Sequence, residues 1–206
     1  MTAKRKKTAK TDIRSVRLES LFRLLERLGL DGAVLDDRDD LFYFTGYTGS
    51  DAAAVFSLAR RRGWLVTDDR YREEAEQSAP SLETIIWRDG FASRVGLTLA
   101  KLGLRKAGHT PASLRLAFFQ ALRRAAEVGS WRDLGPGIGS LRAVKDAGEV
   151  AAMEKALACA EAAFRAARKR WRAGMLEMEI KNDLEWEMRR RGADDAAFET
   201  IVAAGA

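Results

Sequence analysis

Cysteine occurs once in this chain, at Cys159, and histidine once, at His109. A lone cysteine closes no internal disulfide, which agrees with a reducing compartment. A lone imidazole neither builds a histidine-based metal site nor meets an obvious nucleophile to activate. No apolar run approaches the roughly 20 residues that a bilayer-spanning helix needs, so an integral membrane protein is excluded. The leader, Met1 to Lys10, contains no acid and is followed by no apolar core of the kind a secretory signal requires, so a cytoplasmic protein is expected. The Gly-x-Ser-x-Gly elbow of serine hydrolases is missing, which leaves Ser50 as a turn residue. Gly135, Gly137 and Gly139 do not make a dinucleotide loop, because Pro136 intrudes and the spacing is wrong.

What is present is the balance of a soluble globular protein, with 47% hydrophobic and 32% charged residues in 206. That length holds one full domain and part of a second. The net charge is +6, but five of the basic residues lie in the first ten positions, so the rest of the chain is nearly neutral. The cluster Lys4, Arg5, Lys6 and Lys7 could touch an acidic surface, yet runs of this kind are usually solvated leaders, and nucleic acid is not an expected partner.

From Asp12 the pattern is helical: Leu18, Leu21, Phe22, Leu25 and Leu28 share a face, and Gly29 ends the run. Residues 32–36, 52–56 and 64–67 read as strands, 70–77 as a short polar helix and 83–87 as a further strand rich in β-branched residues. A helix is predicted over 91–102, a strand over 104–108 and a helix from Pro111 carrying Leu114, Phe118 and Leu122. Alternating strands and helices imply an α/β fold, a mixed sheet with flanking helices. Gly135 to Ser140, with three glycines and a proline, reads as a linker. That divides the chain into a leader (1–11), a first domain (12–134), the linker (135–140) and a second piece (141–206). In the second piece Asp146 and Glu149 form a capping box, and Val150, Leu157, Phe164 and Trp171 recur every seven residues. They predict one amphipathic helix of about 25 residues, roughly 37 Å long. Gly174 breaks it, a second helix covers 177–191, and 198–203 reads as a strand. Two helices and a strand cannot bury their own apolar faces, so the long helix is expected to expose one.

Two segments stand out. Leu41-Phe-Tyr-Phe-Thr-Gly-Tyr-Thr-Gly-Ser50 reads as an aromatic strand ending in a turn with two glycines. Leu65-Val-Thr-Asp-Asp-Arg-Tyr71 reads as a strand entering a helix capped by Asp68 or Asp69. Together they resemble the Xaa-Pro aminopeptidase, prolidase and creatinase family, whose first domain carries a Tyr-Leu-Thr-Gly-Phe-x-Gly-Ser-like turn and then a Thr-Asp-x-Arg-Tyr segment. Here these are Tyr43 to Ser50 and Thr67 to Tyr71. Leu141 to Glu149 is similar to the Arg-x-x-Lys-x-x-x-Glu opening of the family's catalytic domain, and Ala197 to Gly205 to its Phe-x-x-Ile-Val-x-x-Gly strand.

The resemblance implies a creatinase-like N-terminal domain followed by the first two helices and first strand of a pita-bread domain. It implies a family reaction, the metal-dependent release of an N-terminal residue that precedes proline. It also implies two divalent ions, manganese or cobalt, bound by two Asp, one His and two Glu that lie downstream of the Ile-Val-x-x-Gly strand. Such a site gathers donors around ions about 3.5 to 4 Å apart and activates a bridging water. No such cluster stands in this sequence: no histidine follows Gly135, and Asp194-Asp195 has no partners. The expectation is therefore a chain truncated before its metal ligands and inactive by itself, with no catalytic or metal-binding residue and no cofactor of its own. By resemblance Tyr47, Thr48, Gly49 and Ser50 form a loop facing substrate or a dimer interface, and a homodimer or a complementing C-terminal chain is an expected partner. A peptidase-like protein-binding module is the alternative, and a creatinase-like amidinohydrolase a further one. His109 is read as structural, Cys159 as a small buried hydrophobe, and the arginines at 168–170 and 189–191 as solvated helix ends.

Overall fold

A computed structural model of the chain describes residues 13–205. The basic leader lies outside the described residues. The chain divides into two compact units between Ala143 and Val144.

The first unit opens with α1 (Ile13–Leu28) and β1 (Gly32–Leu35), followed by α2 (Arg38–Thr45). The hairpin β2 (Ala52–Ser57) and β3 (Arg62–Thr67) leads through a 3₁₀ turn (Asp69–Tyr71) into α3 (Arg72–Ser78) and β4 (Glu83–Ile86). Then come α4 (Phe91–Lys101), β5 (Lys106–His109), α5 (Leu116–Ala125), β6 (Ser130–Asp133) and α6 (Gly135–Ala143). The six strands form one mixed sheet in the order β4-β3-β2-β1-β5-β6. The β1–β2 and β2–β3 pairs are antiparallel, and the other three pairs are parallel. Side chains alternate across a strand, so each strand feeds two cores. Ala33, Leu35, Ala54, Phe56 and Leu65 meet Leu21 and Leu25 of α1, Leu41 and Phe44 of α2, Ala75 of α3 and Ile138 of α6. Val34, Ala53, Val55 and Val66 meet Val95 and Leu99 of α4 and Leu122 of α5. Helices thus cover both faces of the sheet, as the alternating pattern predicts.

Several expectations are corrected. The aromatic segment from Leu41 is the helix α2 and not a strand. Asp37 caps it by accepting from the amides of Asp39 and Asp40 at 3.0 Å, and Leu41, Phe44 and Thr45 fall on one buried face. The Gly135–Ser140 linker is part of α6. Leu134, Ile138 and Leu141 lie four and three apart against the first core, and Pro136 suits a first helical turn. The boundary between units is therefore later than the sequence suggests. The helix expected from Pro111 begins at Leu116. The Ser113 hydroxyl lies within reach of the Asp36 carboxylate (2.9 Å) and the Thr110 carbonyl (3.0 Å), which holds 110–113 in a turn. The strand expected over 104–108 runs from Lys106 to His109, and β6 is an additional strand.

The second unit is a pair of helices, α7 (Ala147–Arg168) and α8 (Glu177–Arg190). The capping box forms as the sequence predicts: Asp146 accepts from Gly148 and Glu149 amides at 2.8 and 3.0 Å, and Glu149 accepts from the Asp146 amide at 3.0 Å. α7 has 22 residues and ends before Trp171. Trp171 instead packs edge-on to Phe164 with centroids 5.5 Å apart and donates its indole N–H to Asp183 at 3.1 Å. Ala163 and Ala167 are buried, and the Glu187 carboxylate is buried among Arg170, Arg190 and Arg191. Those arginines, expected as solvated helix ends, include partners of an enclosed acid. Residues 198–203 are not a strand, since they join no ladder among the described residues; a strand is held by a partner's amides and carbonyls. Val150, Met153, Leu157 and Phe164 stand exposed on α7, as expected.

Candidate functional site: the loop after α2 and the β3–α3 turn

The register of the β2–β3 hairpin opposes Ala52 and Thr67. Residues just before β2 and just after β3 therefore lie at the same end of the sheet, and this brings the two distinctive segments together. α2 ends at Gly46, whose φ of 82° and amide bond to the Phe42 carbonyl turn the chain into the loop. Tyr47 is fully buried. Its amide donates to the Thr45 hydroxyl oxygen at 3.1 Å, and that hydroxyl spends its proton on the Leu41 carbonyl at 2.6 Å. The phenol lies 3.3 Å from the Thr67 hydroxyl, which itself donates to the Asp51 carbonyl at 2.6 Å. A hydroxyl has one proton to give, so the phenol is the donor to Thr67. Burial pushes the Tyr47 phenol above its ordinary pKa.

The remaining loop residues rest on this anchored ring. A Cβ on Gly49 would lie 2.2 Å from the Tyr47 phenol oxygen and 2.9 Å from Cδ1 of Tyr71, so only glycine fits there. The Thr48 hydroxyl bonds the Glu74 carboxylate, and the Thr48 carbonyl accepts from Arg38 at 3.3 Å. The Ser50 and Tyr71 hydroxyls are 2.7 Å apart. Ser50 thus pairs with a phenol rather than a base that could activate it. Arg70 grips Asp68 through two nitrogens at 2.7 and 3.1 Å and reaches Asp51 at 3.1 Å. This bond holds the Asp68 carboxyl below the usual carboxylate range and raises the guanidinium. Thr48 and Ser50 are the exposed members of the loop, while Tyr47 and Gly49 are buried support. Glu74 and Asp51 were not foreseen as neighbours of the loop; the Thr67–Tyr71 motif was the only sequence signal for this second half.

His109 lies apart from this cluster, at the end of β5, between the rings of Phe119 (4.8 Å) and Trp131 (5.8 Å). Burial lowers its pKa against the opposing pull of Asp133. Cys159 is half-buried rather than enclosed. Its thiol faces the Met188 carbonyl at 3.6 Å and lines a groove of about 980 Å³ with Leu184, Met188, Phe198 and Ile201. Among the described residues no three His, Cys, Asp or Glu side chains gather where one cation could be held. Asp195, one of the adjacent acids, is tied to Arg189 at 3.0 Å. The described side chains do not fit a dinuclear metal centre.

Comparison with known proteins gives the frame for these contacts. Residues 17–144 match the creatinase/prolidase N-terminal domain, and residues 151–206 match metallopeptidase family M24. The chain therefore belongs to the creatinase/prolidase family of M24-type proteins. It is 28% identical over 190 residues to an uncharacterized peptidase of Bacillus subtilis, across 92% of this chain and 53% of that protein. A solved Xaa-Pro dipeptidase from Bacillus anthracis superposes with a TM-score of 0.84 at 26% identity, covering 90% of this chain and 52% of the other. An X-Pro aminopeptidase from Thermotoga maritima gives 0.76 at 28% identity, covering 88% and 51%. The chain spans about half the length of each of these relatives.

Proposed function

We propose that this chain supplies the N-terminal domain and the opening of the catalytic domain of a proline-directed metallopeptidase, whose complete form releases an N-terminal residue preceding proline. The observation that carries the reading is the succession of two family matches, creatinase/prolidase N-terminal domain and then M24, on one continuous chain. The similar solved structures, an Xaa-Pro dipeptidase and an X-Pro aminopeptidase, support it over an amidinohydrolase. Two manganese or cobalt ions belong to the complete enzyme in this proposal, held by residues outside these 206. The chain alone is then catalytically silent. The exposed edge of the loop, Thr48 and Ser50 carried on Tyr47 and Gly49, is the part offered to substrate or to a second subunit. A cytoplasmic location belongs to the same proposal; the solved N-terminal domain of a cytoplasmic peptidase from Mycobacterium tuberculosis, 26% identical with a TM-score of 0.56, supports it.

One observation favours a second reading, a binding module of peptidase descent: the apolar side chains left exposed on α7 and α8, among them Leu157, Met178 and Trp186. Measuring the mass of the native product in the cells that make it, and assaying that product on Xaa-Pro peptides with Mn²⁺, separates the two. The enzyme reading expects a product longer than 206 residues that releases the N-terminal residue. A longer product without that activity, or a partner-bound product of 206 residues, supports the module instead.

A further inference from the structure

The sheet of the first unit has two edge strands, β6 and β4, and they carry different residues. β6, Ser130-Trp-Arg-Asp133, holds two charges, Arg132 and Asp133, within its four residues. Charge on a short edge strand discourages a further strand from adding to it. β4, Glu83-Thr-Ile-Ile86, has a charge only at its first residue. That carboxylate is already engaged, since it accepts from the Trp64 indole at 3.0 Å. Thr84, Ile85 and Ile86 are each only partly buried.

The ladder shows which backbone groups β4 leaves over. β4 runs parallel to β3, and the Trp87 amide donates to the Thr67 carbonyl at 2.9 Å. Along a strand the N–H and C=O of one residue point to one side, and those of the next residue to the other. Glu83, Ile85 and Trp87 therefore address β3, while Thr84 and Ile86 address the outside. Among the described residues none bonds these outward amides and carbonyls.

An added antiparallel strand must match outward residue to outward residue, because a hydrogen-bonded pair exchanges both bonds. For two copies of β4 related by a two-fold axis, the axis then lies opposite a residue and not between two. Centred on Ile86, Glu83 faces Asp89 of the second copy, and like charges directly opposite are destabilising. Centred on Thr84, Ile86 faces Leu82, which is 7% exposed and belongs to a turn closed by its amide bond to the Ala79 carbonyl. Centred on Ile85, Thr84 exchanges both bonds with Ile86, Ile85 meets its own copy, and Glu83 lies across from Trp87. The Trp87 indole N–H is buried without an acceptor in the chain. This register brings a carboxylate to the same face of the sheet.

We propose that β4 is a docking edge for a second copy of this chain, added antiparallel about Ile85 so that two six-stranded sheets continue into one. The occupant is a strand because the groups left open are backbone amides and carbonyls. It is another β4 because the Ile85-centred register meets parity, extension and charge together. The edge lies within the first unit, and the proposal does not rest on the peptidase reading.

Sedimentation of the full chain over a concentration series, together with disulfide trapping, tests it. The wild type passes from monomer to dimer with a midpoint on the order of 10 µM, as a small interface allows. Thr84→Pro removes an outward N–H that β3 does not use. By symmetry two bonds are lost, and the dimer weakens about tenfold or more. In a Cys159→Ser background, Ile85→Cys sets two thiols at a close, non-hydrogen-bonded pair, where Cα atoms about 4.5 Å apart suit a disulfide. Thr84→Cys sets them on a diagonal about 7–8 Å apart. Mild oxidation therefore traps the Ile85→Cys dimer about tenfold faster or more than the Thr84→Cys dimer. If Thr84→Pro fails to fold, the trapping pair decides. A wild type that stays monomeric to about 100 µM overturns the proposal. So does a dimer that folded Thr84→Pro leaves intact, and so does trapping at equal rates.

Discussion

Tyr47 connects the loop to the sheet through a directed chain of hydroxyls, phenol to Thr67 and Thr67 to the Asp51 carbonyl. Tyr47→Phe keeps the packing and removes one donor, so it lowers stability by about 1 kcal/mol, readable as a fall in the denaturant midpoint with an unchanged slope. Gly49→Ala acts more strongly, because the methyl meets a phenol oxygen that is already held in place. A loss of about 1–3 kcal/mol is expected in the same experiment. His109 gives the chain its pH response near neutrality. Burial depresses its folded pKa, so the unfolded chain binds the proton more readily. Stability is then fully present above about pH 6.5, the ordinary value for histidine, and falls as the pH drops below it. Denaturant midpoints from about pH 5 to 8 should show this slope in the wild type and a flatter one in His109→Gln; equal slopes would remove His109 from the account.

At the scale of elements, the capping box of α7 is the most separable contribution. Asp146→Ala leaves two first-turn amides without their acceptor and should cost about 1 kcal/mol, seen as faster exchange in residues 147–150. A variant with unchanged protection would show that packing on α8 alone holds the start of α7. The box was legible in the sequence because it depends only on two residues three apart. The strands of the central hairpin and α1 were legible for a similar reason, since burial of their apolar faces obeys a local period. α2 was not, because Leu41 to Phe44 has the aromatic content of a strand, and the helix is decided by the Asp37 cap and by what Leu41 and Phe44 meet in the core. α6 was hidden by three glycines that suggest a loop, although Leu134, Ile138 and Leu141 carry helical spacing. β6 was missed because an edge strand with the sequence Ser130-Trp-Arg-Asp133 has little apolar pattern to read. Of the candidate site, both motifs were visible, but their mutual contact was not: it follows from the Ala52–Thr67 register, which no local pattern encodes.

The whole molecule comprises two units of different character. In the first, helices enclose both faces of a six-stranded sheet. In the second, two helices bury small alanines and an ion-paired glutamate between them while Met153, Leu157, Trp186 and Ile201 remain outside. The second unit should bind a hydrophobic dye in the native chain, and its amides should exchange before those of β1 to β3. The family's scaffold is present, while among the described residues no set of donors gathers to hold a metal. Isothermal titration of the 206-residue chain with Mn²⁺ and with Co²⁺, followed by assay of the same sample on an Xaa-Pro peptide, tests that claim most directly. The account predicts no tight divalent site and no released residue; two tightly held cations accompanied by turnover would contradict it.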